Sequence, residues 1–171
     1  MASFPIFVDV AARPPLVVGG GDLALAKVRV LLLRAPVVDV YAQGSLADGF
    51  APLVAAAQVA HSSRDITSED LRGRPLVISA TANDAIDGDV SARARAIGVP
   101  INVPDRPHLS SFALAAIVDR GTVTVAIGTE GAAPVLATRL RADLEQHLHP
   151  RLGRLADIAR EYRDRVAAHL A

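Results

Sequence analysis

The chain has 171 residues, 51% hydrophobic and only 4% aromatic, which predicts one domain of ordinary size plus an appendage, with a core of Ala, Val, Leu and Ile. Acidic and basic residues number 18 each, so no global field draws in nucleic acid or a charged membrane surface. There is no cysteine, which excludes disulfides, thiolate nucleophiles, Cys-bound zinc and iron–sulfur clusters. The amino terminus shows no basic and apolar leader pattern and no apolar run reaches the length of a bilayer span, so a soluble cytoplasmic protein is expected.

In chain order, a short apolar strand is predicted at Leu16–Val18, followed by a helix from Asp22 to about Leu33, with Pro36 closing the connection. A second strand follows at Val37–Ala42, then a polar loop and a weak helix over Phe50–Ala57. Val59–Ser62 reads as a short strand, and Ser68-Glu-Asp-Leu as a helical turn begun by a Ser cap. Pro75-Leu-Val-Ile-Ser-Ala80 reads as a buried strand. A helix over Ala85–Ile97 stops at Gly98, and Ile101–Val103 is the next strand. Strands alternating with helices over residues 16–103 predict a doubly wound parallel sheet.

The pattern then changes. Phe112–Val118 and Thr122–Gly128 read as two strands joined by the turn Asp119-Arg-Gly121. A helix over Pro134–His147 follows, and Pro150 begins a last amphipathic helix that runs to the carboxyl terminus. A hairpin and two helices bury too little on their own, so this part is expected to pair with another chain. The expected division is 1–104 for a dinucleotide-binding domain, 105–149 for a dimerisation region and 150–171 for a short helical segment.

Three clusters could carry chemistry. The first is the turn Val18-Gly-Gly-Gly-Asp-Leu-Ala24, in which Gly19, Gly21 and Ala24 fill the frame G-x-G-x-x-A after a strand and before a helix. Gly19 suits the tight turn, Gly21 lets backbone approach a pyrophosphate, and Ala24 lets the helix pack on the sheet; the phosphates would rest on free N–H groups at the helix start. Any strand–turn–helix junction also favours glycine. The second cluster is the strand end Tyr41-Ala-Gln-Gly44, where an adenosine ribose would lie. Asp39 is near the position of the usual ribose-binding acid, but it reads equally as a solvated strand residue. No arginine stands in that strand tip to hold a 2′-phosphate, so NAD is expected over NADP. The third cluster is Asn102-Val-Pro-Asp-Arg-Pro-His108, at the carboxyl end of the last strand, where open α/β sheets bind ligands. Asp105 reads either as an acid in a Pro-rich turn or as a group that accepts a proton or holds a metal.

Taken in order, Phe4-Pro-Ile-Phe7, Val17-Val-Gly-Gly-Gly-Asp-Leu-Ala24, Leu76-Val-Ile-Ser-Ala-Thr81, Asn102-Val-Pro-Asp105, Ser111-Phe, Ile117-Val-Asp-Arg120, Val125-Ala-Ile-Gly-Thr-Glu-Gly131, Pro134-Val-Leu-Ala and Leu140-Arg141 resemble the precorrin-2 dehydrogenase / sirohydrochlorin ferrochelatase family, the dehydrogenase module of siroheme synthase. The resemblance implies a Rossmann-like domain, a dimerisation hairpin and carboxyl-terminal helices. It implies transfer of a hydride from the tetrapyrrole precorrin-2 to NAD, giving sirohydrochlorin, with Fe2+ as the substrate of a chelatase step in some members. It carries cofactor contacts to Asp22, Leu23, Gln43 and Gly44, beside Gly19 and Gly21, and the essential carboxylate to Asp105, also the metal candidate. Thr81 is a further cofactor candidate; Arg106, His108, Arg120, Arg139 and Arg141 are candidates for the substrate's carboxylates.

The chain departs from that pattern at Ala82, Asp87 and Ala115, where the family has Asp, Asn and Pro, and a serine phosphorylated in some members falls on Thr129. The helical segment that ends at Ala171 is shorter than in many relatives, which bears on the chelatase step more than on the dehydrogenase step. The rival reading is an NAD-sensing regulatory module without catalysis.

Overall fold

The computed structural model describes residues 3–170; Met1, Ala2 and Ala171, which the expected domain limits include, lie outside the described residues. The chain forms two compact units that meet between Ala113 and Leu114.

In the first unit five parallel strands stand in the order β3-β2-β1-β4-β5. They are β1 (Leu16–Val18), β2 (Val38–Tyr41), β3 (Val59–Ser62), β4 (Val77–Ser79) and β5 (Ile101–Asn102). Strands β1 and β4 are buried along their whole length and show no polar alternation; the one polar residue in them, Ser79, is satisfied inside the fold. Between them run α1 (Asp22–Leu31), α2 (Ala51–Ala55), α3 (Ser68–Leu71) and α4 (Asp84–Ala96). Helix α1 buries Ala24, Leu25, Val28 and Leu31, a stripe at helical spacing. The core beneath α3 and α4 joins Leu16, Val18, Val77 and Ile101 of the sheet to Leu71, Val90 and Ala94.

Helix α3 is capped by Thr67 rather than Ser68: the Thr67 hydroxyl accepts from the Asp70 N–H, and Asp70 accepts from the Thr67 N–H in return. This reciprocal box needs the acid three residues after the cap, and only Thr67 has one there. Gly98 ends α4 with φ +72°, the left-handed conformation that glycine adopts without cost.

In the second unit β6 (Ala116–Arg120) pairs antiparallel with β7 (Val123–Ile127), and α5 (Pro134–His147) and α6 (Leu152–Leu170) follow. The strand expected from Phe112 begins only at Ala116, because the preceding residues are held by β5: Asn102 donates to the Phe112 carbonyl (2.9 Å) and the Ser111 N–H to the Ile101 carbonyl (2.7 Å). Asp119 and Arg120 belong to β6 rather than to the turn. The loop is the two residues Gly121 and Thr122, with Gly121 at φ +70°, as a tight hairpin demands. Gly153 lets α6 approach the hairpin; a Cβ there would stand 2.0 Å from the Arg120 carbonyl oxygen. Among the described residues no helix is long and apolar enough to cross a membrane.

Candidate active site

Because all five strands of the first unit run parallel, the turns after β1, β2, β4 and β5 open at one end of the sheet. Chain order reverses between β1 and β4, and a crevice opens at such a switch point. The three glycines after β1 do different work. Gly19 has φ +125°, and a Cβ on it would stand 2.3 Å from the Ala80 carbonyl oxygen. A Cβ on Gly20 would meet Leu46 at 2.9 Å and Ala42 at 3.0 Å. Gly21 is different: its φ of −83° and ψ of −177° suit any residue, and a Cβ would meet nothing within 4 Å. Nothing among the described residues requires glycine at position 21. The first N–H groups of α1 have no side-chain cap. An open position above an uncapped, partly positive helix end fits the pyrophosphate of a dinucleotide. Asp22 and Leu23 stand exposed beside it, while Ala24 is fully buried against the sheet.

The tip of β2 is organised by side chains from elsewhere. Asp39 pairs with Arg74 at 2.5 Å, and Arg74 also donates to the carbonyls of Pro14 (3.0 Å) and Asp70 (2.9 Å). Beyond it, the Tyr41 hydroxyl donates to Asp70 (2.9 Å). Arg64, from the loop after β3, donates twice to Asp70 (2.6 and 2.8 Å) and lies 5.0 Å from the centre of the Tyr41 ring. The Arg64 guanidinium, aided by Thr67 and Tyr41, holds the Asp70 carboxyl far below the usual carboxylate range, and burial pushes the Tyr41 hydroxyl up. Exposed Gln43 donates to Asp65 at 2.6 Å, and Gly44 turns at φ +81°. The strand tip therefore has an arginine beside it after all. Arg64 is 23 residues from Tyr41, and only the pairing of Tyr41 with Ser62 in adjacent strands could have brought it to notice.

At the ends of β4 and β5 the groups are again shared between strands. Asp87, buried in the first turn of α4, accepts from the Ser79 hydroxyl (2.6 Å) and from the Thr81 hydroxyl (2.8 Å). These bonds fix Thr81 next to Ala82, which sits at φ +57°. Asp84 forms an ion pair with Arg106, tying α4 to the loop after β5 and holding the Asp84 carboxyl below its ordinary value. In that loop the Arg106 N–H donates to the Val103 carbonyl (3.1 Å), closing a turn with Pro104 and Asp105 at its centre. Asp105 has φ +60°, the positive value that the third residue of a type II turn needs and that Asp tolerates better than most residues. The buried Ser110 hydroxyl locks the turn by accepting from the Val103 N–H (2.9 Å) and lying 3.0 Å from the Arg106 carbonyl oxygen. Asp105 and His108 are exposed.

The first unit thus brings Gly19, Gly21, Asp22, Leu23, Gln43, Gly44, Thr81, Asp105, Arg106 and His108 to the carboxyl end of one sheet. Arg120, Arg139 and Arg141 belong to the second unit. There Arg120 donates to the carbonyls of Leu148 (2.9 Å) and Glu145 (2.7 Å), Arg141 lies 3.5 Å from Glu145, and Arg139 is exposed. Among the described residues no three His, Asp or Glu side chains group to hold a metal ion. Sequence reading missed Arg64, Asp65, Asp70 and the role of Asp87; only Asp70 lies in a local motif, the capping box with Thr67.

Comparison with known proteins gives the same architecture. The chain is 40% identical over 168 residues to a siroheme synthase of Vesicomyosocius okutanii, covering 98% of this chain and 36% of that protein. It is 36% identical over 171 residues to the siroheme synthase of Nitrosomonas eutropha, covering 100% of this chain and 36% of that protein. It therefore spans little more than a third of the length of these relatives. Among solved structures it shares its fold with "SirC, precorrin-2 dehydrogenase", at a TM-score of 0.78 and 22% identity, over 94% of this chain and 79% of that one. Residues 6–116 match the family described as "Putative NAD(P)-binding". That match takes in the glycine turn, both strand tips and the Asp105 loop, and the chain belongs to this NAD(P)-binding family.

Proposed function

We propose that the chain catalyses NAD+-dependent dehydrogenation of precorrin-2 to sirohydrochlorin, a step in siroheme biosynthesis. The observation that carries this reading is the convergence, at one end of one sheet, of an uncapped helix above the open Gly21 and an exposed carboxylate held at positive φ two strands away. The likeness to siroheme synthases supports the choice of substrate.

NAD+ supplies the acceptor for a hydride. The N–H groups at the start of α1 seat its pyrophosphate beside Asp22 and Leu23, Gln43 and Gly44 border the adenosine, and Thr81 stands between that end and Asp105. Loss of a hydride from the substrate must be matched by loss of a proton. Asp105 is the acceptor we assign, since it follows the last strand of the sheet and is open to a bound molecule. Two of the four described non-glycine residues at positive φ, Ala82 and Asp105, lie at this end of the sheet. Arg106 and His108 are candidates for the carboxylates of the substrate. Fe2+ enters the reading as a second substrate, whose insertion releases pyrrole protons to the same carboxylate. The second unit, with exposed Leu136, Leu155, Ile158 and Tyr162, is the region we assign to a two-fold dimer.

The test is NADH formation from precorrin-2. Asp105→Asn keeps the size of the side chain and removes the base, so it should lower turnover by about 10²-fold or more with NAD+ binding intact. Wild-type turnover by Asp105→Asn across about pH 6 to 9 would remove Asp105 from the role. Gly21→Val has room in the fold and should abolish tight NAD+ binding; unchanged affinity would move the cofactor site elsewhere. NAD+ binding without turnover would favour a sensor.

A further inference from the structure

We infer that Asp65, on the loop after β3, is the carboxylate that reads the adenosine ribose and excludes a 2′-phosphate. This rests on the placement of the dinucleotide proposed above. A dinucleotide fold ordinarily uses an acid near the end of the second strand, whose oxygens accept from the ribose hydroxyls. Asp39 holds that place in the sequence, but its carboxylate is bound to Arg74 at 2.5 Å, and Arg74 is anchored on two backbone carbonyls. Freeing Asp39 would strand a mostly buried guanidinium, so Asp39 is committed to the fold.

Asp65 supplies the missing group. Its Oδ1 accepts from Gln43 Nε2 at 2.6 Å, which fixes the carboxylate at the tip of β2, and its Oδ2 accepts no hydrogen bond from the described residues. The side chain is exposed and borders a groove of about 310 Å3 to which Ile66, Ala85 and Ile86 give apolar walls. A ribose diol is a donor and suits a free carboxylate oxygen; a 2′-phosphate is an anion and is repelled by it. The neighbouring cations that could offset this repulsion are both held: Arg64 by two bonds to Asp70 and by stacking on Tyr41, and Arg93, which also lines the groove, by its ion pair with Asp89 and a bond to the Ile66 carbonyl (2.8 Å). Selection therefore has two parts, an acid facing the ribose and bases kept occupied beside it.

The experiment is calorimetric titration of the full chain with NAD+ and with NADP+, for the wild type, Asp65→Asn and Asp39→Asn. The wild type should prefer NAD+. Asp65→Asn should weaken NAD+, strengthen NADP+ and reduce the preference by about tenfold or more, the scale of one charged hydrogen bond. Asp39→Asn, where it folds, should leave the preference within about twofold. An unchanged preference in folded Asp65→Asn, or a shift produced by Asp39→Asn instead, would overturn the inference while leaving the dinucleotide site in place. A wild type that binds neither dinucleotide would overturn both.

Discussion

The two units handle their apolar residues differently. In the first, Val17, Val77, Ile78 and Ile101 are fully buried between layers of helix, and the main exposed apolar residues outside the helices lie in the segment before β1, at Phe4, Ile6 and Phe7. In the second, Val118 and Ala137 are the buried apolar residues among those described, while Val135 is 83% exposed and Leu155 62% exposed. A parallel sheet covered on both faces closes its own core; a two-stranded ribbon with two helices offers each helix only one side to pack on. The first unit thereby covers its own apolar side chains, while the second leaves many of its own uncovered, which is the basis of the dimer proposed above.

The sharpest way to break this comparison is to remove side chain volume from the first core. Ile78→Ala, at the centre of the sheet, should cost about 2–5 kcal/mol in denaturant unfolding. A loss under about 1 kcal/mol would mean the core there repacks freely. Next in size is Gly153→Val, which drives a branched side chain into the Arg120 carbonyl where α6 meets the hairpin. It should cost about 1–3 kcal/mol in the second unit, with NAD+ binding by the first unit unchanged. Loss of NAD+ affinity in this variant would show that the units are not independent in this respect.

A smaller effect is expected from Asp70→Asn. The Asp70 carboxyl is held below its ordinary value chiefly by Arg64, so its contribution is present above the unfolded carboxylate value of about 3.9 and is lost as pH falls below it. The variant should be less stable than the wild type at neutral pH, with the difference shrinking in acid. Arg64 is 54% exposed, so the difference should be modest. A difference that grows below pH 4 or so would refute the pairing. The smallest expected effect is that of Leu155→Ala in dilute solution, within about 0.5 kcal/mol of the wild type, because so little of the side chain is covered in one chain. The same substitution should weaken a dimer, measured by light scattering against concentration. A destabilisation of the dilute chain comparable to that of Ile78→Ala would erase the contrast between the units.

Local pattern determined much of this protein. The alternation of apolar strands with helices, the stop at Gly98 and the run of Pro134–His147 are written in residues within a few positions of one another, because propensity, capping and turn geometry act over that range. The same holds for the frame Gly19, Gly21 and Ala24, and for the Pro104–Asp105 turn. Tertiary structure alone decided what Asp39, Tyr41, Gln43, Thr81 and Asp84 bind. Arg74, Arg64, Asp65, Asp87 and Arg106 reach them from other strands, loops and helices, and that adjacency follows from the strand order β3-β2-β1-β4-β5 and from the parallel register. Tertiary structure also removed residues 112–115 from the hairpin, since hydrogen bonds from Asn102 and between Ser111 and Ile101 draw the segment toward β5. Sequence periodicity carries which face of an element is apolar; it carries no term for which distant donor will arrive beside a given carboxylate, and at this site those arrivals decide which acid is free to meet a ligand.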